Sequence, residues 1–264
     1  MLKNINVYDL EGKTRDKIQK PKIFEVNPRK DLIILSNEVI QSRRTQPQGR
    51  SPYAGLKNTA EGWGTGHGMS RTPRIKGSGF PTARNAGRVP FAKGGRRTHP
   101  IKSEKAIHKK INKKTKTKAL ISAISATGNK EWIRNRGHKI KNVPEIPLVI
   151  DDKIQTIKKT SMVYGALCNL GLEEDLKKVK KKYNKVRSGK GKRRGRKYKN
   201  SKSILIIIKE DFGIFRAARN IPGVDIKEVK NLSVDDLAPG GLAGRLVLWT
   251  ESAINELQNY EVFI

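Results

Sequence analysis

Residues able to do chemistry cluster at only a few places along the 264-residue chain. The run Gly62-Trp63-Gly64-Thr65-Gly66-His67-Gly68 superficially has the glycine spacing of a dinucleotide loop. Such a loop works where a strand precedes it and a helix follows, so that the helix N-terminus meets the pyrophosphate. Here Pro and Gly continue on both sides, and the glycines read instead as allowing close backbone approach to something large. Ser188-Gly189-Lys190-Gly191-Lys192 is no ATPase phosphate loop, because no Gly-Lys-Ser/Thr follows a glycine at the required spacing. His67, His99, His108 and His138 are scattered, without the pairing of metal ligands, and are expected at the surface. Asp235-Asp236 follows Ser233, where acids favour a helix N-terminus, and reads as a cap. Asp151-Asp152 likewise borders a body element. Cys168, among Ala166, Leu167 and Leu170, reads as a buried small hydrophobe. A single cysteine excludes an internal disulfide and a cysteine-rich zinc site. No catalytic residue, metal ligand, cofactor or small-molecule substrate is expected.

What remains is charge. The chain carries 57 Lys+Arg against 24 Asp+Glu, a formal net charge of +33. Such a surplus repels itself in any compact state unless a polyanion neutralises it. Nucleic acid is the usual polyanion, and an anionic membrane surface is the rarer one. No run of 18 apolar residues exists, and the opening Met1-Leu2-Lys3-Asn4 lacks a signal-peptide pattern, so a soluble protein of a reducing compartment is expected. Hydrophobic residues make up 35% of the chain, low for a globular domain, which places part of it outside any core.

Two stretches hold most of the unbalanced charge. Residues 45–102 are dense in Gly and Pro, with neither helix nor sheet periodicity. Spread through and just before them are Arg43, Arg44, Arg50, Lys57, Arg71, Arg74, Lys76, Arg84, Arg88, Lys93, Arg96 and Arg97. Residues 176–202 contain no acid; they include Arg187, Lys190, Lys192, Arg193, Arg194, Arg196 and Lys197, and the glycines from Ser188 to Gly195 read as a mobile, solvated loop.

The elements that must position these segments are legible around them. Asn27-Pro28 reads as N-cap and first residue of a helix whose stripe is Leu32, Leu35 and Val39. Leu120, Ile121 and Ile124 form the stripe of a second helix closed by Gly128. The runs Leu148–Ile150, Ser203–Ile208, Val224–Ile226 and Leu246–Trp249 read as strands. Met162 to Leu170, Phe215 to Asn220 and Ser233 to Leu237 read as helices, and another begins near Glu173. Alternating strand and helix predicts an α/β fold, a parallel-sheet, Rossmann-like globular body of residues 1–44 and 103–264. The long extended irregular loop 45–102 is inserted between two helices.

RNA is favoured over DNA because no helix-turn-helix, zinc finger or heptad-bearing basic region is present. The cations sit on irregular backbone able to thread between packed RNA helices, and Trp63, with Phe80 or Phe91, is suited to stacking on unpaired bases. Ordering each backbone residue costs roughly 1–2 kcal/mol, and the loop has few apolar groups to offset it, so without RNA it is expected to be disordered. A nucleotide-using or RNA-processing enzyme would need a phosphate loop after a strand, or clustered acids for metal. A free nucleic-acid-binding or chromatin factor is the remaining alternative.

Several runs carry a family resemblance across essentially the whole chain. They are Gly62-Trp63-Gly64-Thr65-Gly66, Arg71-Thr72-Pro73-Arg74-Ile75, Arg134-Asn135-Arg136-Gly137-His138, Arg187-Ser188-Gly189-Lys190-Gly191-Lys192, Ala218-Arg219-Asn220-Ile221-Pro222-Gly223, and Leu237-Ala238-Pro239-Gly240-Gly241 through Trp249-Thr250-Glu251-Ser252-Ala253. The chain closely resembles the universal L-four family of large ribosomal subunit proteins, in its archaeal and eukaryotic form. The stop at Ile264, without the eukaryotic basic tail, resembles the archaeal type. The resemblance implies a non-catalytic, cytoplasmic ribosomal protein that binds large-subunit rRNA beside neighbouring ribosomal proteins, and not a homo-oligomer or a membrane protein. It also implies a loop tip at the constriction of the peptide exit tunnel, comprising Arg71, Arg74, Ile75, Lys76, Gly77, Ser78, Gly79 and Arg84 within the stretch Arg71 to Arg88.

Overall fold

The computed structural model describes residues 4–257. These form two compact units: residues up to Gln41 together with those from Lys110 onward, and Ser42–Lys109. In chain order the strands and helices are β1 (Asn4–Tyr8), β2 (Thr14–Gln19), α1 (Lys30–Arg43), β3 (Ala60–Glu61), β4 (Arg74–Ile75), α2 (Lys113–Thr127), α3 (Lys130–Arg136) and β5 (Leu148–Ile150). There follow α4 (Thr160–Asn169), α5 (Glu173–Lys182), β6 (Lys185–Val186), β7 (Tyr198–Lys199), β8 (Leu205–Ile208), α6 (Ile214–Ala218), β9 (Asp225–Glu228), α7 (Val234–Leu237), β10 (Val247–Thr250) and α8 (Glu251–Leu257).

The larger unit is built on a six-stranded sheet in the order β2-β1-β5-β10-β8-β9. All pairings are parallel except β1 with β2. This is an α/β fold with a largely parallel sheet, as strand and helix alternation predicts. In β8 and the residue before it the side chains alternate faces: Ile204, Ile206 and Ile208 enter one apolar cluster, while Leu205 and Ile207 enter the other. A central strand covered on both sides requires this unbroken apolar run. Trp249 of β10 is fully buried and meets Phe24 edge-on at 5.8 Å.

Three expectations need correction. The first helix starts at Lys30 rather than at Asn27-Pro28, because the Arg29 carbonyl accepts the first helical bond, from Ile33 N at 3.3 Å. Its buried stripe is Ile33, Ser36, Asn37 and Val39, and Leu35 lies exposed. Asn37 turns inward because its Nδ2 donates to Asp235 Oδ1 at 3.1 Å and to the Ala238 carbonyl at 3.4 Å. Cys168 is only half-buried. Even so, burial pushes its thiol pKa up.

The hairpin β1–β2 was not expected, since β2 reads Thr-Arg-Asp-Lys-Ile-Gln and carries almost no apolar signal. It occupies the sheet edge, where charged side chains discourage pairing with another chain. The Ser233–Asp236 reading holds: the Ser233 backbone N–H donates to Asp236 Oδ2 at 3.2 Å within a full capping box.

One arginine fastens the C-terminal half of the sheet. Arg245 is 1% exposed. Its guanidinium donates to the carbonyls of Ser203 at 2.7 Å, Asp236 at 2.8 Å and Ile204 at 3.3 Å, and to Asp225 Oδ2 at 2.6 Å. Burial pulls the Arg245 pKa down, and Asp225 works against that shift. Burial also works to raise the Asp225 carboxyl, but the hydrogen bond from Lys202 and the charge of Arg245 outweigh it and leave the pKa lowered.

Removing one partner of a buried pair strands the other, at about 3–5 kcal/mol. Arg245→Ala should therefore lower the unfolding free energy by about that amount, measured by urea titration. A loss near zero would show that the three carbonyls and Asp225 do not depend on it. Because the folded pKa of Asp225 is depressed, its contribution is complete above the ordinary carboxyl value of 3.8. It should fade as the pH falls below that value and through the lowered one, so Asp225→Asn should flatten the acid limb of a stability–pH curve.

Candidate nucleic-acid interface

The segment Ser42–Lys109 closes on itself at its base. Lys109 N donates to Ser42 Oγ at 3.1 Å, His108 Nδ1 lies 3.1 Å from the Ser42 carbonyl, and Arg50 N donates to the Ile101 carbonyl at 2.9 Å. Further along, three short runs lie side by side. β3 pairs antiparallel with β4, Ala60 opposite Ile75 and Glu61 opposite Arg74. The run 84–87 flanks β4, with Arg84 N donating to the Ile75 carbonyl, Ile75 N to Asn85 and Gly87 N to Pro73. The segment read as an irregular loop thus contains a small ladder, whose strands of two residues are too short to leave periodicity in the sequence.

Glycine and arginine hold this ladder together. A Cβ on Gly87 would lie 2.9 Å from that of Ala60 and 3.3 Å from Ile75 Cγ1, so only glycine permits the approach. Arg88 grips Asn58, Nε donating to its side-chain oxygen at 3.1 Å and Nη2 to its carbonyl at 2.8 Å. Arg74 Nη1 donates to the Arg84 carbonyl at 3.0 Å. The Arg74 guanidinium also lies 5.7 Å from the centre of the Trp63 ring, and His67 lies 5.6 Å from Trp63 on a tilted plane. Trp63 therefore has partners within its own segment, although its glycine-rich surroundings leave it half-exposed. Arg84 and Arg88 adopt φ of 60° and 61°, an uncommon region for residues with a side chain.

The other cations point outward. Arg43, Arg44, Arg50, Lys57, Arg71, Lys76, Arg84, Lys93, Arg96 and Arg97 are exposed, whereas Arg74 and Arg88 are half-buried. Lys76 pairs with Glu61 at 2.5 Å. Phe91 is 77% exposed, and Phe80 folds over Gly77. Among the described residues of this segment only Ala60 and Gly87 are buried.

The second basic stretch belongs to the larger unit. α5 opens with Glu173, Glu174 and Asp175 and ends with Lys180, Lys181 and Lys182, signs that complement the helix dipole. Beyond it, β6 and β7 pair antiparallel, Lys185 opposite Lys199 and Val186 opposite Tyr198. Ser188 to Gly195, read as a loop, is the connection of this hairpin and contains a helical turn at Lys190–Arg194. Arg187 ties it: Nε donates to the Arg196 carbonyl at 3.2 Å and Nη2 to that of Tyr198 at 3.4 Å. Lys190, Lys192, Arg193, Arg194, Arg196 and Lys197 are exposed on it.

His138, expected at the surface, is instead inside. Its side chain is 6% exposed, and Nδ1 lies 3.0 Å from Asp175 Oδ2. Sequence reasoning missed this pair because its members sit on different elements. Among the described residues no group of three His, Cys, Asp or Glu is placed to hold a metal ion. No helix there is long and apolar enough to cross a membrane.

Comparison with known proteins follows this geometry. A family model described as the ribosomal protein L4/L1 family matches residues 18–260. The chain is 45% identical over 253 residues to the large ribosomal subunit protein uL4 of Methanosphaera stadtmanae, covering 96% of this chain and 95% of the relative. Identity to the protein of the same name from Methanopyrus kandleri is 42%, covering 96% of each chain. For that of Methanococcus aeolicus it is 41%, covering 96% and 98%.

If glycine sets the spacing of the ladder, Gly87→Val should push the 84–87 run away from β3. The amides of Ile75, Arg84 and Gly87 should then exchange faster with deuterium than in the parent chain, while β8 stays unchanged. Identical exchange in both chains would show that this packing is not made.

Proposed function

The chain belongs to the ribosomal protein L4/L1 family, and from that membership we propose that it is a structural constituent of the large ribosomal subunit. It binds large-subunit rRNA, supports assembly of the subunit in the cytoplasm, and lies beside other ribosomal proteins. In this reading the segment around Arg71, Arg74, Ile75, Lys76, Gly77, Ser78, Gly79 and Arg84 reaches the nascent-peptide exit tunnel and helps form its wall.

One observation carries the reading. The exposed cations stand on irregular backbone with almost no apolar core beneath it. Phosphates meet two needs of such a segment at once. They neutralise the repulsion among its charges, and they supply the interaction energy that two buried residues cannot. Arg74, Arg88 and Arg187 act on a different level, shaping the backbone so that their neighbours face outward. The same residue type thus builds the scaffold and forms the contact. Binding of this kind weakens steeply with salt, because counterions return to the RNA as contacts are lost.

The proposal is tested by charge reversal in the archaeal host. Replacing Arg71, Arg74 and Arg84 together by glutamate should leave the circular dichroism of the sheet unchanged. In sucrose gradients the variant should be depleted from large subunits, whereas the parent chain co-migrates with them at one copy each. Full occupancy by the variant and undisturbed growth would defeat the assignment of this segment; a parent chain found away from large subunits would defeat the ribosomal reading itself.

A further inference from the structure

On the larger unit, a cavity of about 330 Å³ is lined by residues from the end of α3, from α5, from Ser201-Lys202 just before β8, and from the turn after α7. A water molecule occupies ~30 Å³ of the liquid, so the space admits a tetrahedral oxyanion with several waters. Its lining includes Arg136, His138, Asp175, Lys178, Lys182 and Lys202.

The charges there do not balance. Asp175 is the single acid, and it is fully engaged: His138 Nδ1 lies at 3.0 Å, Lys139 N donates at 3.1 Å, and the Ser203 hydroxyl donates as well. Lys202 is held by Asp225 at 2.7 Å. Arg136 has no acid. Its Nη2 donates to the Pro239 carbonyl at 3.2 Å, but Nη1 is buried without a hydrogen-bond partner. Its guanidinium is pushed down to about 10, first by burial and then by the charge of Arg245. A buried, half-satisfied guanidinium facing a second one is expensive, and an incoming anion would relieve it. The Nε2 of His138, on a side chain 94% buried, is likewise without a partner. Lys178 and Lys182 add ammonium groups to the same lining.

The placement is fixed by the end of α3. Asn129 caps its start, accepting from Glu131 N at 2.9 Å. At its close Gly137 turns left-handed at φ 97°, with Gly137 N donating to the Arg134 carbonyl and His138 N to that of Ile133. This double bond pattern, which needs glycine at the turn, puts Arg136 and His138 on either side of one sharp corner.

We propose that this cavity is a phosphate-binding site, with Arg136 as its principal ligand and Lys178 and Lys182 assisting. A guanidinium with two ammonium groups matches the charge and the several acceptor directions of a phosphate oxygen set. The phosphate comes either from an RNA backbone or from free inorganic phosphate. The first source deepens the ribosomal reading above and rests on it; the second does not.

Two variants test the site: Arg136→Met, and Lys182→Gln at an exposed position that leaves the core untouched. Each is compared with the parent chain in two assays, thermal unfolding with inorganic phosphate in place of chloride at fixed ionic strength, and binding to a large-subunit rRNA transcript over a range of salt. Phosphate should raise the melting temperature of the parent and do so less in Lys182→Gln and not at all in Arg136→Met. RNA affinity should fall about tenfold in Arg136→Met, and the slope of log affinity against log salt should shrink by about 0.7, the value for one contact to single-stranded nucleic acid. Loss in the phosphate assay alone identifies free phosphate as the ligand; loss in the RNA assay alone identifies a backbone phosphate. Parent-like behaviour of both variants in both assays overturns the site. Failure of the parent to bind the transcript would count against the ribosomal reading, and the phosphate assay would still decide the site.

Discussion

A sheet buried on both faces imposes the constraint from which the rest follows. Strands such as β8 and β10 must present apolar side chains in both directions, because clusters of buried residues press on them from either side. With only 35% of the chain hydrophobic, the sheet and its helices consume most of that supply. The cationic surplus has no place inside and is displaced to segments that have no core of their own. Segregation of oil and charge along the chain is thus the arithmetic result of building a double-faced sheet from a polycation.

The arginines that do enter the interior obey different rules from those outside. Arg245 is tolerated because three carbonyls and a carboxylate surround it. Arg88 and Arg187 play a similar part in thin regions, where a planar fork reaching two acceptors replaces a missing apolar core, and Arg74 holds one carbonyl in the same way. Lysine, with one rotatable ammonium, would not bridge backbone groups in this fixed geometry. Most of the described lysines accordingly lie at the surface, among them those at the end of α5 and in the hairpin.

Much of the fold was legible because its signals are local. The five apolar residues 204–208, the Ser233–Asp236 box and Gly128 at the end of α2 each declare an element from a few adjacent side chains. β2 was illegible because an exposed edge strand needs no apolar alternation. The ladder of β3, β4 and 84–87 was illegible because strands of two residues are too short to show alternation, and the Arg74 and Arg88 bonds that support its backbone pairing reach across distant positions. The basic stretches could be read as candidate contacts, but which arginine turns inward depends on carbonyls up to thirty residues away, as with Arg88 and Asn58. The cavity beside α3 was wholly hidden, since Arg136, Asp175 and Lys202 meet only when three elements converge.

The closed base of Ser42–Lys109 has a further consequence. Ser42 is bound to His108 and Lys109, so the chain departs and returns at one place. Whatever length lies between those points is topologically a side branch, and the order of strands in the sheet takes no account of it. Evolution can therefore lengthen, trim or redecorate the branch while inheriting the trunk unaltered, and loop-closure entropy grows only logarithmically with each added residue.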